Sequence, residues 1–397
     1  MPLERIFIPY GAYWSTPFCK WQGRFAGEHS MKLAASVARR AFDEGCGQLE
    51  RLDGIVLGTT VMQPQSFYGA PWLAGMIGAD GLTGPTISQA CATSAAIVAS
   101  AALQIEAGQR GCVLAVACDR TSNGPHVYYP NPSGPGALGE AENPVWDNFN
   151  RDPFAGNAML ETAENVAREA GITREEQDAM ALLRSEQYQA ALADDRAFQK
   201  RYMMPVVLNA GKKSERVVDR DEGVFGTTAD GLARLKPVLD GGTVTYGTQT
   251  YPADGNAGVV LCDREAAEHF ATRPGVSIQV LGFGSARAKK GFMPMAVVPA
   301  ARQALDDAGV AIADCAAVKT HNPFAVNDVY LCRELVLEPA KVNRYGSPLV
   351  FGHPQAPTGL RAMIELIEEL VERGGGLGLF SGCAAGDTAM AVVFRVG

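Results

Sequence analysis

Two cysteines and two histidines stand where this chain could do covalent chemistry. Cys91 lies in Thr86-Ile87-Ser88-Gln89-Ala90-Cys91-Ala92-Thr93-Ser94, where a short apolar run breaks into a long alanine-rich helix. A thiol at a helix start sees the positive end of the helix dipole, which favours thiolate and makes Cys91 a candidate nucleophile. A buried, inert cysteine is the plainer reading. His353, in Gly352-His353-Pro354, can accept the Cys91 proton, and Cys383, in Ser381-Gly382-Cys383, can move protons at a second centre. Read singly, His353 is a loop histidine and Cys383 a strand-end cysteine. His321 and Asn322, in His321-Asn322-Pro323-Phe324, close another predicted strand, where they either donate hydrogen bonds to a carbonyl oxygen or simply form a turn.

The elements around these residues argue that they meet. A helix of ~16 residues travels roughly 24 Å. A returning strand of ~6 residues recovers about 20 Å. His353 precedes such a helix and Cys383 follows such a strand, so both belong at one edge of a sheet. The first half repeats the order: Cys91 opens a helix, and a strand Val113-Leu114-Ala115-Val116-Ala117 follows and stops at Cys118. Two degenerate copies related by a pseudo-twofold would bring Cys91 to the same place from the other side. Strand ends of open α/β sheets are where ligands bind. Gly352 and Gly382 flank the reactive groups, as close backbone approach to a substrate requires.

The alternation of helix and strand predicts α/β layering with largely parallel sheet. Ser30 is expected to cap a helix over 31–44. Thr173 opens a capping box with Glu176 before a helix over 174–196. Residues 121–157 read as irregular loop, and 205–256 as extended and turn-rich. The organisation expected is an N-terminal half over 1–120 and 243–270, an inserted loop domain over 121–242, and a C-terminal half over 271–397.

Composition bounds the function. The chain has 397 residues, 47% hydrophobic and 20% charged, enough for a large core without staples. A formal net charge of -8 argues against nonspecific binding to nucleic acid or an anionic membrane. No run reaches a membrane span and no cleavable signal is read at the start. Nine cysteines without a C-x-x-C pair or a zinc-like cluster point to free thiols, a reducing cytoplasm and no structural metal.

At this point the residues resemble the thiolase superfamily over nearly the whole chain. The resemblance is carried by the Cys91 helix, Leu160-Glu161-Thr162-Ala163-Glu164-Asn165-Val166-Ala167, Leu235-Lys236-Pro237, Gly242-Thr243-Val244-Thr245, Asp254-Gly255, Val342-Asn343, Gly352-His353-Pro354 and Ser381-Gly382-Cys383. It implies a five-layered α-β-α-β-α fold from two pseudo-twofold-related halves, with an inserted loop domain that helps bind coenzyme A. It further implies that Cys91 is acylated, that His353 activates it, and that Cys383 is the acid/base. His321-Asn322-Pro323-Phe324 falls where the sterol-carrier-protein-type branch has His-Asp-Cys-Phe, so His321 would help His353 bind the thioester oxygen. A second oxyanion hole would use the N–H groups of Cys91 and Ala385. Thr250, Asn322, Phe324, Gly352 and Gly386 are the implied substrate-binding positions, with coenzyme A as co-substrate and no covalently bound cofactor.

Two departures point to an unusual acyl group. Cys383-Ala384-Ala385-Gly386 replaces the family's Cys-x-Gly, and Gln355-Ala356-Pro357 intervenes between His353-Pro354 and Thr358-Gly359. These motifs, with Tyr10-Gly11-Ala12-Tyr13-Trp14, are similar to the catalytic subunits of benzoylsuccinyl-CoA thiolases, which implies cleavage to benzoyl-CoA and succinyl-CoA. It also implies a homodimer or dimer of dimers, and a small zinc-binding, OB-fold-like partner. Phe67, Tyr68, Trp72, Tyr128, Tyr129, Trp146 and Phe149 offer aromatic surface for such an acyl group, although packing is the plainer reading. Lys212, Lys213 and Arg216 either meet coenzyme A phosphates or form a solvated charge run. The competing functions are a ketoacyl-synthase-like condensing enzyme, which would place histidine or asparagine in the role of Cys383, and a noncatalytic thiolase-like scaffold.

Overall fold

The computed structural model describes residues 3–273 and 275–397. Two sheets form its frame. The first is six-stranded, in the order Tyr13–Ser15, Ala253–Cys262, Cys112–Arg120, Gly54–Gly58, Thr86–Ile87, with Cys19–Lys20 also on Ala253–Cys262. The second runs Ile278–Arg287, Thr388–Val396, Gly376–Ala384, Cys315–His321. Both are mixed, not largely parallel. Gly54–Gly58 lies parallel to its two neighbours and Cys315–His321 parallel to Gly376–Ala384, while the remaining pairs are antiparallel. A fully buried run such as Ala253–Cys262 carries no record of its direction, so the apolar pattern could not distinguish the two.

Two helices fill the space between the sheets. Thr93–Glu106 follows Cys91, and Ala356–Glu372 follows His353. They pack on each other and on strands of both sheets, within one core shared by the two halves. Small residues permit the close crossing: a Cβ on Gly359 would sit 3.0 Å from Ser94 Cβ and 3.1 Å from Phe380. Ser94 Oγ donates to the Ala356 carbonyl at the same place. Ser30–Asp43 and Ala70–Ile77 cover the outer face of the first sheet, and Val297–Ala308 with Ala325–Glu334 lies on the outer side of the second. The result is α-β-α-β-α.

Ala356–Glu372 is buried along most of its length yet carries charges. The buried ones are paired: Arg361 with Asp221 at 2.6 Å, Glu365 with Lys319 at 2.6 Å, Glu368 with Arg201 at 2.6 Å and Glu369 with Arg373 at 2.7 Å. Leaving any partner alone would strand a buried charge, which typically costs about 3–5 kcal/mol.

Between the antiparallel neighbours Cys112–Arg120 and Ala253–Cys262, the stretch 121–157 is more ordered than its turn-rich sequence predicts, while the helices that follow fall where they are expected. The stretch holds a hairpin of Val127–Tyr129 and Glu140–Glu142 and a short helix Trp146–Asn150; the helices are Met159–Ala170 and Arg174–Ala191, which pack against Ala325–Glu334. The Thr173 capping box forms, with Thr173 N–H donating to Glu176 Oε2 at 2.8 Å and Glu176 N–H to Thr173 Oγ1 at 3.2 Å. Ser30 is the first helical residue rather than the cap, which is His29. No helix among the described residues is long and apolar enough to cross a membrane.

Candidate active site

Cys91 sits on a tight turn, not inside the helix. Ala92 is the N-cap, and Ala90 takes φ +44°, a backbone angle that L side chains rarely adopt. The turn is held by Thr93, whose Oγ1 accepts from Gln89 N–H at 2.8 Å and donates to the Ala90 carbonyl at 2.6 Å. The N–H groups of Ala385 and of Cys91 itself converge on the sulfur.

His353 comes from the other half. Gly352 has φ +90°, and a Cβ there would sit 2.8 Å from the Tyr251 ring and 3.0 Å from Ala253 Cβ, so only glycine lets the loop lie this close. His353 N–H donates to the Tyr251 carbonyl at 2.9 Å. Its Nε2 lies 3.1 Å from Cys91 Sγ, and its Nδ1 lies 2.7 Å from Thr358 Oγ1, in the first turn of the helix that follows. A proton on Nδ1, donated to Thr358, leaves Nε2 free to accept the thiol proton.

His321 stacks on His353 with ring centroids 4.2 Å apart. Both of its ring nitrogens are buried and lack a hydrogen-bond partner. An imidazole in that condition is poised for a ligand oxygen. The parallel register of Cys315–His321 with Gly376–Ala384 pairs His321 with Gly382, which brings Cys383 beside it. Cys383 is fully buried, and its sulfur accepts from Asn327 Nδ2 at 3.2 Å. A charge on Cys91 disfavours one on Cys383, so the two sulfurs share one electrostatic site.

Burial governs the protonation states. It pushes the Cys91 thiol up to about 12, against the two N–H donors that pull it down. It lowers His321 to about 3 and holds His353 well below its ordinary range, with His321 adding to the effect. It raises Cys383 well above a free thiol, with Asn327 opposing. The helix-start argument for a thiolate is therefore overturned at rest: desolvation outweighs the dipole, and the pair is neutral thiol and neutral imidazole. Iodoacetamide alkylation of Cys91, followed by peptide mass spectrometry, is expected to accelerate about tenfold per pH unit from pH 7 to 10. A rate already flat at pH 7 would mean a preformed thiolate.

The other expected positions divide. Asn322 is held inside the protein: one N–H of its Nδ2 donates to Asp328 at 2.6 Å and its Oδ1 accepts from Leu349 N–H at 3.3 Å. Thr250 is likewise spent inside the protein, with its N–H on the Pro323 carbonyl at 2.7 Å and its Oγ1 on the Pro348 carbonyl at 2.6 Å. Phe324 is buried and bridged to Gln249. Gly386 has φ +79°, and its carbonyl accepts from Arg287 Nε at 3.0 Å.

A groove of about 410 Å³ runs past Phe225, Thr228, Leu232, Tyr246 and Gln249 to Leu349, beside Asn322. Lys212, Lys213 and Arg216 do not line it, nor do the seven aromatic residues singled out in the sequence. Phe67 and Tyr68 are instead 94% and 73% exposed, and Trp146 contacts Trp21 and Phe149 edge-to-face.

Asn327 and Asp119 escaped the sequence reading, and Gln355 and Thr358 entered it only as a departure from the family motif. Thr358 and Asn327 orient His353 and Cys383. Gln355 Oε1, at 3.4 Å from Cys91 Sγ, is the alternative acceptor for the thiol proton that His353 Nε2 faces at 3.1 Å. Asp119, buried at the end of Cys112–Arg120, accepts from Thr59, Thr60 and Val61 of the first half and from Ala356 N–H of the second at 2.9 Å. Burial raises its carboxyl to about 6. The donor atoms of Cys91, His321 and His353 lie within 4.8 Å of one another, so this trio could also hold a soft divalent ion.

Comparison with known proteins agrees with this geometry. Residues 12–265 match the family model for the thiolase N-terminal domain and residues 276–396 that for the thiolase C-terminal domain. A beta-ketoadipyl-CoA thiolase from Pseudomonas knackmussii is 30% identical over 381 residues, 93% of this chain and 94% of the relative. An acetyl-CoA acetyltransferase from Escherichia coli K12 is 30% identical over 387 residues, 96% of each chain. The crystal structure of the Bacillus anthracis acetyl-CoA acetyltransferase covers 100% of both chains at a TM-score of 0.91 and 28% identity. Human mitochondrial 3-ketoacyl-CoA thiolase, crystallised in complex with CoA, covers 100% of this chain and 99% of its own at a TM-score of 0.90 and 26% identity. The chain belongs to the thiolase family of acyltransferases.

Proposed function

We propose that this thiolase cleaves a β-ketoacyl-CoA bearing a free carboxylate, with (S)-2-benzoylsuccinyl-CoA as the favoured substrate and coenzyme A as the acceptor. The observation that carries the reaction is the 3.1 Å contact between Cys91 Sγ and His353 Nε2, with Cys383 buried beside His321. His353 takes the thiol proton as Cys91 attacks the ketone carbon. The carbon–carbon bond breaks, and Cys383 protonates the departing enolate of the acyl-CoA product. The acyl group stays on Cys91 until coenzyme A, deprotonated by Cys383, removes it.

Negative charge develops on two different oxygens in turn, so two sets of donors are needed. The N–H groups of Cys91 and Ala385 serve the adduct on the cysteine. His321 and His353 serve the thioester oxygen of the enolate, which gives the N–H of His321 the acceptor it lacks. The groove from Tyr246 to Leu349 is the path for pantetheine. The carboxylate is supported by the beta-ketoadipyl-CoA thiolases among the relatives, and the altered Gln355-Ala356-Pro357 turn supports an acyl group unlike acetyl.

The test is thiolysis of acetoacetyl-CoA, β-ketoadipyl-CoA and 2-benzoylsuccinyl-CoA, with products resolved by liquid chromatography and mass spectrometry. Benzoyl-CoA and succinyl-CoA are expected from the last. The assay is run with and without copurifying protein, since the resemblance implies a small zinc-binding co-subunit and a homo-oligomer. Cleavage confined to acetoacetyl-CoA would remove the substrate assignment and leave the reaction.

A further inference from the structure

The turn between His353 and its helix carries a group that the thiolysis steps leave unused. Gln355 adopts φ 65°, ψ −106°, a conformation that glycine reaches freely and other residues only under strain. The backbone is pinned there from both sides. Thr358 N–H donates to the Gln355 carbonyl at 3.2 Å, and the next N–H, of Ala356, donates to Asp119 at 2.9 Å.

The side chain is held as firmly as the backbone. Gln355 is 4% exposed, and its Oε1 lies 3.4 Å from Cys91 Sγ. Its Nε2 is not among the sealed, partnerless polar atoms, so its N–H groups are open to solvent or ligand. Fixing Oε1 against the sulfur leaves the two N–H groups of Nε2 on the other side of the amide. A strained backbone that places an amide whose N–H groups face open space beside the reactive sulfur is a poor choice for stability at a position that glycine fits. Such costs persist where a ligand satisfies the group.

We infer that Gln355 is a specificity-determining residue that donates from Nε2 to a carboxylate on the acyl skeleton, within a few bonds of the carbon that Cys91 attacks. The inference rests on the thiolysis reading and deepens it. A hydrogen bond to a charged acceptor is stronger than one between neutral groups, and a site built to make it discriminates against an analogue that lacks the charge.

The test compares kcat/KM for a carboxylated β-ketoacyl-CoA and for its methyl ester, using whichever of 2-benzoylsuccinyl-CoA and β-ketoadipyl-CoA is turned over. The acid-over-ester ratio is expected to fall at least about tenfold in Gln355→Gly, the size of one hydrogen bond to a charged group. It falls further in Gln355→Glu, where two negative charges would face each other. Gln355→Gly accepts the backbone angle, so its Tm is expected to hold or rise, which separates lost selectivity from lost folding. A ratio preserved within about threefold in both variants overturns the assignment. So does a wild-type protein that cleaves acid and ester equally well. A wild-type protein that cleaves no β-ketoacyl-CoA at all overturns the underlying reaction instead.

Discussion

Replacing Cys91 with alanine is expected to lower kcat for thiolysis by at least about 10⁴-fold and to abolish the covalent acyl-enzyme. The size follows from what is removed. Without the sulfur there is no route through an acyl intermediate, and coenzyme A would have to attack the ketone directly while His353 has no thiol proton to take. The remaining donors still bind substrate, so KM should change far less than kcat. Intact-mass measurement after incubation with the ketoacyl-CoA checks the result. Acylation that persists at another residue in Cys91→Ala would move the nucleophile elsewhere. Unchanged turnover in Cys91→Ser would favour the noncatalytic reading.

The second large effect is expected at Cys383. Cys383→Ala should slow carbon–carbon cleavage by about 10²–10⁴-fold, the usual contribution of one positioned acid/base group. Because its part is proton transfer and not attack, the variant should still become acylated on Cys91 when offered a simple acyl-CoA, though more slowly, since Cys383 also supplies the proton to the departing coenzyme A. Cys91→Ala should not. Mass spectrometry with benzoyl-CoA separates the two roles. A Cys383→Ala enzyme that cleaves the ketoacyl-CoA at the wild-type rate would remove Cys383 from the mechanism. A cysteine here also weighs against the condensing-enzyme alternative, since the Asn327 amide at 3.2 Å favours the sulfur's charged form, which a proton carrier must visit.

The meeting of Cys91, His353 and Cys383 was legible in the sequence because their placement depends only on lengths. A helix out and a strand back return the chain to its starting edge, whatever the side chains, and Cys91, His353 and Cys383 all stand at such returns. The roles of Thr358, Gln355, Asn327 and Asp119 were not legible, because each acts across a contact that exists only after folding. Asp119 holds Ala356, which lies in the opposite half. The protonation of Cys91 failed for the same reason. Its helix start is visible locally, but the burial that outweighs the dipole is supplied by the second half. Strand direction was lost differently: Ala253–Cys262 and Cys112–Arg120 are buried on both faces, and such runs look alike read in either sense.

The proposed nucleophile and base, Cys91 and His353, are contributed by opposite halves of one polypeptide, clamped by a single carboxylate at Asp119 and by the Ser94–Ala356 bond. The sulfur-to-imidazole spacing thus gauges how faithfully the halves are docked. A lesion far from the thioester, such as loss of the Tyr13–Glu368 hydrogen bond between the halves, would register in turnover before any gross unfolding is seen. Catalytic competence and interior registration are, in this protein, two measurements of the same distance.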